Sequence, residues 1–221
     1  MTLNLRAVFF DLDGTLIDSA VGILASCRAA FQTLGISPRA APSNSLIGPP
    51  LGELLAHMLG DQDLSLLPAL SVAFKAHYDQ VGYQSSQAYA GIEGILITLT
   101  QRKVPIYIAT NKRAVPTRKI LQVLHWTERF QGIYSLDSFT PALPGKGALL
   151  QQLLRQEGLN AAETVYVGDR DEDALAADQA QLTFARATWG YGREAEQKLP
   201  TTSTEAEIAL FWNNLSAHLP S

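Results

Sequence analysis

The sequence contains a single cysteine, Cys27, among its 221 residues, so no disulfide can form within the chain. Because this cysteine lies in a segment with helical spacing, we interpret it as a small buried apolar residue and not as a nucleophile. No group of cysteines and histidines has the spacing of a zinc site. The sequence thus offers neither a disulfide framework nor a zinc-binding motif.

Positive charge and long apolar runs are also scarce. The 17 lysines and arginines are outnumbered by 21 aspartates and glutamates, which gives a formal net charge of −4 at pH 7. We therefore expect no nucleic-acid partner, since proteins of that kind present a basic surface to the phosphate backbone. No apolar run approaches the length of a membrane span, and the N-terminal residues lack the pattern of a signal peptide. We predict a cytoplasmic protein that is a monomer or a homodimer and has no membrane partner.

What remains is the composition of a globular protein, with 47% hydrophobic and 17% charged residues. The length suits one large domain, or one domain with an insert. Short apolar runs directly before Asp11, at 104–109 and at 164–167 are typical of buried strands, and segments with helical spacing separate them. This alternation predicts an α/β fold with a doubly wound parallel sheet.

One long segment breaks the alternation. Between Asp18 and Val81 no strand pattern occurs, and the apolar spacing is helical throughout. We predict an all-helical insert at 18–82, with the α/β core formed by 1–17 and 83–221. Within the insert the predicted helices are 20–34, 51–59 and 64–81. In the core they include 91–102, 146–156, 174–180 and a segment near 205–218.

Polar residues follow the three clearest strands at the point where each strand ends. Asp11 and Asp13 end the first strand, Thr110 ends the second, and Asp169 follows the third with Asp173 one helical turn later. Because the carboxyl ends of parallel strands meet at one edge of the sheet, these side chains should converge where such folds bind ligands. Carboxylate oxygens without nitrogen or sulfur ligands suit a hard cation, usually Mg²⁺.

Other interpretations of the aspartates have to be weighed. Asp-Gly pairs are common in surface turns, and acidic residues such as Asp171 and Glu172 are favoured at helix N-termini. An EF-hand is excluded because Ala174 and Ala180 occupy the positions that require glycine and glutamate. The helix-dipole interpretation explains less well why Gly-Asp directly ends a strand and a second aspartate follows one turn later.

Taken in order, the polar clusters resemble the four-motif pattern of the haloacid dehalogenase superfamily. The pattern consists of Asp-x-Asp-Gly-Thr starting at Asp11, the strand-end Thr110, Lys146, and Gly-Asp-x-x-x-Asp at 168–173. The helical insert directly after the first motif resembles the C1-type cap of that superfamily. Three further segments are similar to its phosphoglycolate-phosphatase-like branch, namely 46–51, 109–112 and 189–192.

The resemblance implies specific roles for the aspartates. Asp11 would attack the phosphoryl group and form an aspartyl-phosphate. Asp13 would act as general acid for the leaving oxygen and then as general base for water. Mg²⁺ would be held by the carboxylates of Asp11 and Asp169 and by the backbone carbonyl of Asp13, and Asp173 would support the metal without binding it directly.

The resemblance also implies a binding site for the phosphate. Thr110 and the backbone N–H groups near Gly14 and Asn111 would hold phosphoryl oxygens, and Lys146 would offset the negative charge of Asp11 and the phosphate. The lysine motif departs from many relatives, because Gly147 follows it where they have proline. This leaves Lys112 as a competing candidate. The motif does not require Arg170, and spacing alone assigns no role to 189–192, so both roles stay open.

These expectations point to a Mg²⁺-dependent phosphatase for a small phosphorylated metabolite, with 2-phosphoglycolate as the first candidate substrate. One alternative is a sugar phosphomutase similar to β-phosphoglucomutase, although the predicted insert shows no convincing set of polar residues for a hexose. A pyrophosphatase or nucleotidase of the same superfamily is another alternative. A regulatory domain on a non-catalytic phosphatase fold is the remaining interpretation.

Overall fold

The computed structural model describes residues 5–61, 63–192 and 211–217. In chain order the strands are β1 (Ala7–Phe10), β2 (Ile17–Asp18), β3 (Gln87–Ala88), β4 (Ile106–Thr110), β5 (Gly132–Ser135), β6 (Thr164–Gly168) and β7 (Thr183–Arg186). The α-helices are α1 (Ala20–Thr33), α2 (Leu51–Leu59), α3 (Leu67–Tyr78), α4 (Ile92–Gln101), α5 (Ala114–Val123), α6 (Lys146–Glu157) and α7 (Asp171–Gln179). Residues 211–216 are also helical.

The central sheet has five parallel strands in the order β5-β4-β1-β6-β7. Strand β1 lies in the middle, and the strand order runs outward from it in both directions. Every residue of β1, β4 and β6 is buried, which explains why these strands have continuous apolar sequences. The predicted doubly wound α/β fold is confirmed, and the reversal of strand order at β1 places a ligand crevice beyond its carboxyl end.

Both faces of the sheet are covered. On one face, Val8 and Phe10 of β1 join a core that includes leucines and isoleucines of α4 and α5. On the other face, Ala7 and Phe9 join a core built with α6 and α7. This division follows from the alternation of side chains along a strand, and it places α4 and α5 on one face and α6 and α7 on the other.

Helices α1, α2 and α3, with the segments that connect them, form a separate helical layer that we call the cap. The cap has its own hydrophobic core, which contains Cys27, Phe31, Met58 and Phe74. Burial raises the pKa of Cys27 to about 12, which agrees with the prediction of an inert buried thiol and not a nucleophile. None of the helices in the described residues has both the length and the apolar character needed to span a bilayer.

A two-stranded antiparallel ladder joins the segments that enter and leave the cap. Strand β2 pairs with β3 through Ile17 with Ala88 and Asp18 with Gln87, and the N–H of Tyr89 donates to the carbonyl of Leu16. The sequence analysis missed this ladder, because strands of two residues are too short to show an alternating pattern.

Two helix boundaries in the sequence analysis were wrong. Helix α7 begins at Asp171 and not at Ala174, because the carboxylate of Asp173 accepts the backbone N–H groups of Asp169 and Arg170 and so caps the helix start. Helix α3 ends at Tyr78 and not at Val81, and it is preceded by a 3₁₀ turn at 64–66. Of the segment predicted near 205–218, only 211–217 lies within the described residues.

Candidate active site

The sequence-predicted residues converge at the carboxyl edge of the central sheet. Asp11 directly follows β1, Thr110 is the last residue of β4, and Asp169 directly follows β6. Lys146 and Asp173 reach the same place from the first turns of α6 and α7. All five side chains are buried, with between 1% and 9% of their surface exposed. Charged groups buried to this degree need partners, so the contacts between them decide what the site can do.

Asp11 and Lys146 face each other at the centre of the site. The Nζ atom of Lys146 lies 3.2 Å from Oδ1 of Asp11 and 2.5 Å from Oδ1 of Asp173. Burial lowers the pKa of this lysine, but the two carboxylates more than compensate, so its pKa lies above the ordinary value. The same two contacts explain why a cation is retained at the N-terminus of α6, where the helix dipole disfavours positive charge.

Asp173 has its hydrogen-bonding capacity fully used within the protein. Its Oδ1 accepts from Lys146 and, at 3.0 Å, from the hydroxyl of Tyr166. Its Oδ2 accepts from the backbone N–H groups of Asp169 and Arg170, both at 3.1 Å. Burial raises the pKa of this carboxyl, but Lys146 and the hydrogen bonds outweigh burial and hold the pKa below its usual value. Asp173 therefore fixes the positions of Lys146 and Asp169.

Asp169 is oriented by a loop from the C-terminal part of the core. Its Oδ2 accepts the backbone N–H groups of Tyr191 at 2.7 Å and Gly192 at 3.1 Å. Burial, with a contribution from Asp173, raises the pKa of Asp169 to about 6 even though these two donors lower it. Glycine is required at 190 because a Cβ there would lie 2.3 Å from Cβ of Asp169. The segment 189–192, whose role the sequence left open, thus holds Asp169 in place.

Three carboxylates at this edge could hold a metal ion. Oxygen atoms of Asp11, Asp169 and Asp173 lie within 4.8 Å of one another. Oδ1 of Asp11 is buried and makes no hydrogen bond, and burial raises the pKa of Asp11 to about 7 against the opposing effect of Lys146. A hard cation would satisfy that oxygen and offset the mutual repulsion. Since Asp173 is already occupied by protein donors, Asp11 and Asp169 are the better ligands of the three.

Lys112 and Lys146, the two candidates for the lysine that faces the phosphate, contact different aspartates. The Nζ atom of Lys112 donates to both carboxylate oxygens of Asp13, each at 2.9 Å. Ser19 also donates its hydroxyl to Asp13. Lys146 is therefore the lysine beside Asp11, and Lys112 is the lysine that holds Asp13. Sequence reasoning missed the contact of Ser19 with Asp13, because the sequence indicates only a helix cap at Ser19. It missed the contact between Lys112 and Asp13 because the two residues are 99 positions apart in the chain.

The remaining predicted residues shape the space around Asp11 and Asp13. Gly14 has a φ of +84°, and a Cβ there would lie 2.5 Å from Oδ2 of Asp169, so only glycine fits. The hydroxyl oxygen of Thr110 accepts the N–H of Lys112 at 3.2 Å, which leaves its proton free to donate. Asn111 also lines the cavity, and its side-chain amide donates to the carbonyl of Gly48 in the cap at 3.1 Å.

Arg170 also connects the site to the cap. Its guanidinium donates to the carbonyls of Ser45 and Ile47, at 3.1 and 2.8 Å. Its aliphatic stem packs against Gly48, where a Cβ would lie 2.1 Å from Cδ of the arginine. The sequence motif does not require an arginine after Asp169, so these contacts could not be predicted from it.

A cavity of about 300 Å³ lies between the carboxylates and the cap. Asp11, Asp13 and Thr110 form its floor, and side chains of α2 and α3 form its roof. The cavity therefore gives a small molecule a place to contact Asp11 while its remaining atoms contact the cap.

The site thus combines a strand-end aspartate beside a buried lysine, a second aspartate two residues on, and a cavity beneath a helical cap. Residues 8–187 match the family model described as haloacid dehalogenase-like hydrolase, and the chain belongs to this family.

Similar proteins agree with this assignment. A phosphoglycolate phosphatase of Xanthomonas campestris is 33% identical over 84% of each chain. A 5'-nucleotidase of Pseudomonas aeruginosa is 30% identical over 96% of each chain. A solved haloacid dehalogenase-like hydrolase of Streptococcus pneumoniae has 25% identity and a TM-score of 0.78, covering 97% of this chain and 98% of that one. They support the phosphoglycolate-phosphatase-like branch that the sequence predicted.

Proposed function

We propose that the protein is a Mg²⁺-dependent phosphatase that hydrolyses a small phosphate monoester through an aspartyl-phosphate on Asp11. The observation that carries this proposal is the environment of Asp11. Its Oδ1 is buried without a hydrogen bond, lies 3.2 Å from Nζ of Lys146, and belongs to a residue that lines the cavity. An anionic nucleophile needs such a cation nearby, since it must approach an anionic phosphate.

The neighbouring residues supply the remaining steps. Oxygen of Asp11 bonds to phosphorus while the bond from phosphorus to the leaving oxygen breaks, and Asp13 donates a proton to that oxygen. Asp13 then accepts a proton from the water that cleaves the aspartyl-phosphate and restores Asp11. Lys112 and Ser19 hold the carboxyl of Asp13 in position for both transfers.

The phosphoryl oxygens need donors as their charge shifts during the reaction. We assign these contacts to the hydroxyl of Thr110, the ammonium of Lys146 and the backbone N–H groups near Gly14 and Asn111. Mg²⁺ would be held by Asp11, Asp169 and the backbone carbonyl of Asp13, and it would stabilise negative charge on the phosphoryl group. Asp173 supports this arrangement by orienting Lys146 and the backbone of Asp169.

Two relatives suggest substrates. The phosphoglycolate phosphatase of X. campestris supports 2-phosphoglycolate, the first candidate from the sequence, and the 5'-nucleotidase of P. aeruginosa supports a nucleoside monophosphate. A sugar phosphomutase has no observation in its favour, because the side chains that the cap contributes to the cavity are apolar except for Tyr78. We therefore propose hydrolysis of a monoester and no phosphate transfer within a sugar.

The test is phosphate release from a panel of esters, measured with Mg²⁺ and with a chelator. We expect release only with Mg²⁺, and we expect Asp11→Asn to lower it by about a thousandfold or more because the nucleophile is lost. Asp178→Asn is the matched control, since this aspartate is exposed on α7 and lies outside the site. Release that persists in the chelator, or in Asp11→Asn, would contradict the proposal.

A further inference from the structure

The cavity is much more apolar toward the cap than phosphate chemistry alone requires. A phosphoryl group bound to Asp11 would occupy only the part of the cavity that Asp11 and Thr110 line. The rest lies between Ile47, Leu51, Leu54 and Phe74 of the cap and Leu136 and Leu143 of the core. Because apolar surface is a poor environment for a charged or strongly hydrated group, this region favours a substrate with a hydrophobic part.

Cations at the cavity are already paired. Lys112 is held by both oxygens of Asp13. Arg113 makes a bidentate pair with Asp79, with contacts of 3.0 and 2.5 Å. Among the described residues, the cap contributes no lysine, arginine or histidine to the cavity lining, and Asp137 adds a negative charge.

These observations make the region beyond the phosphate less favourable for a second anionic group than for a neutral one. The carboxylate of 2-phosphoglycolate would enter a region that offers it no unpaired cation and one acidic side chain. Leaving it without a partner costs more than its Coulomb attraction to distant charges could return. A neutral leaving group with a ring-sized hydrophobic body meets neither penalty, and it would fill the apolar part of the cavity between the cap and the core.

We propose that the preferred substrate is a phosphate monoester whose leaving group is uncharged and carries a hydrophobic body of about the size of one ring. This inference rests on the proposed phosphatase function and specifies its substrate class. The core then provides the reaction, and the apolar residues of the cap select the leaving group by excluding water from it.

Three esters test the inference with little change in chemistry. Ethyl phosphate and benzyl phosphate release primary alcohols of similar acidity, so a difference between them reports on the hydrophobic ring. We expect kcat/KM for benzyl phosphate to exceed that for ethyl phosphate by about 10- to 100-fold, the usual range for burying a group of this size. We expect 2-phosphoglycolate to be poorer than ethyl phosphate, because its carboxylate has no partner.

A charge placed in the cavity provides the matched variant. Leu51 is half-buried at the start of α2 and lines the cavity, so Leu51→Lys adds a cation at a position that can reach water. It should raise the rate ratio of 2-phosphoglycolate to ethyl phosphate by about fivefold. Val72→Lys adds the same charge to α3 at an exposed position outside the cavity, and it should leave that ratio unchanged.

The outcomes separate the inference from the function on which it rests. Mg²⁺-dependent release that favours 2-phosphoglycolate over both neutral esters in the wild-type protein would overturn the inference and leave the phosphatase standing. Equal rates for ethyl and benzyl phosphate would overturn it as well. No release from any of the three esters would instead contradict the proposed function, and the inference would fail with it.

Discussion

The floor of the cavity carries charged and polar side chains, whereas its roof in the cap is largely apolar. On the floor, Asp11 and Asp13 each face a lysine. The lysine beside Asp11 also contacts Asp173, which accepts hydrogen bonds from four protein donors. On the roof, leucine, isoleucine and phenylalanine side chains make no polar contact with the space below. The difference shows how the two tasks of such an enzyme are divided. The floor holds charges in a fixed geometry, whereas the roof presents a largely apolar lining to the rest of the cavity.

Replacing Lys146 should have the largest effect on activity and stability. Lys146→Met leaves Asp11 and Asp173 buried without their shared cation, so we expect kcat to fall by about 10²- to 10³-fold for every substrate alike. The free energy of unfolding should also drop, by about 3 to 5 kcal/mol, because a buried charge network loses one partner. Steady-state kinetics and urea unfolding measure the two effects.

Lys75→Met is the control for this variant, since Lys75 is exposed on the cap helix α3 and should leave both quantities nearly unchanged. If Lys146→Met kept its activity on all esters, Lys146 could not be the group that offsets charge at Asp11.

Lys112 contacts both the floor and the roof, so replacing it tests which of these contacts the reaction needs. Its Nζ atom donates to Asp13 and lies 4.7 Å from the centre of the Tyr78 ring in the cap. Lys112→Met should lower kcat by about 10-fold or more for all esters, because Asp13 loses the donor that orients it. Lys112→Arg, which restores a donor, should recover part of the rate. A change confined to KM would show that Lys112 serves the cap and not Asp13.

Replacing Arg170 should have the smallest effect on the kinetics, and this effect should arise from the position of the cap. Arg170→Gln removes the donors to the carbonyls of Ser45 and Ile47, which position the cap segment that lines the cavity. We expect KM to rise by about fivefold, which corresponds to a net loss of about 1 kcal/mol, while kcat changes less. Arg155→Gln, at an exposed position of α6, is the control. A fall in kcat with constant KM would instead place Arg170 in the chemistry.

Much of the floor could be predicted from the sequence, because a parallel sheet brings the ends of its strands together. Once three apolar strands end in Asp11, Thr110 and Asp169, sheet geometry alone brings those residues to one edge. The lysines were harder to distinguish, since Lys146 begins a helix and Lys112 follows a strand, and both positions reach the same edge. The three-dimensional structure was needed to show that the two lysines face different aspartates.

The roof and the supporting contacts could not be predicted, for a different physical reason. A helical pattern shows that Leu51, Leu54 and Phe74 are apolar, but it does not show whether they face the cap core or the cavity. The contacts of Arg170 and Tyr191 depend on loops that approach each other from distant parts of the chain. No local pattern encodes such an approach, except for the glycine at 190, which indicates that something lies close to the backbone.

The small ladder of β2 and β3 has a consequence for how this architecture can vary. The chain leaves the core at Ile17 and returns at Ala88, and these two residues are paired side by side. An insertion whose two ends are neighbours places little constraint on the length or shape of what is inserted. A different helical segment joined at this ladder would therefore meet the core through the same two neighbouring chain ends, and it would change what surrounds Asp11 while the sheet keeps its strand order.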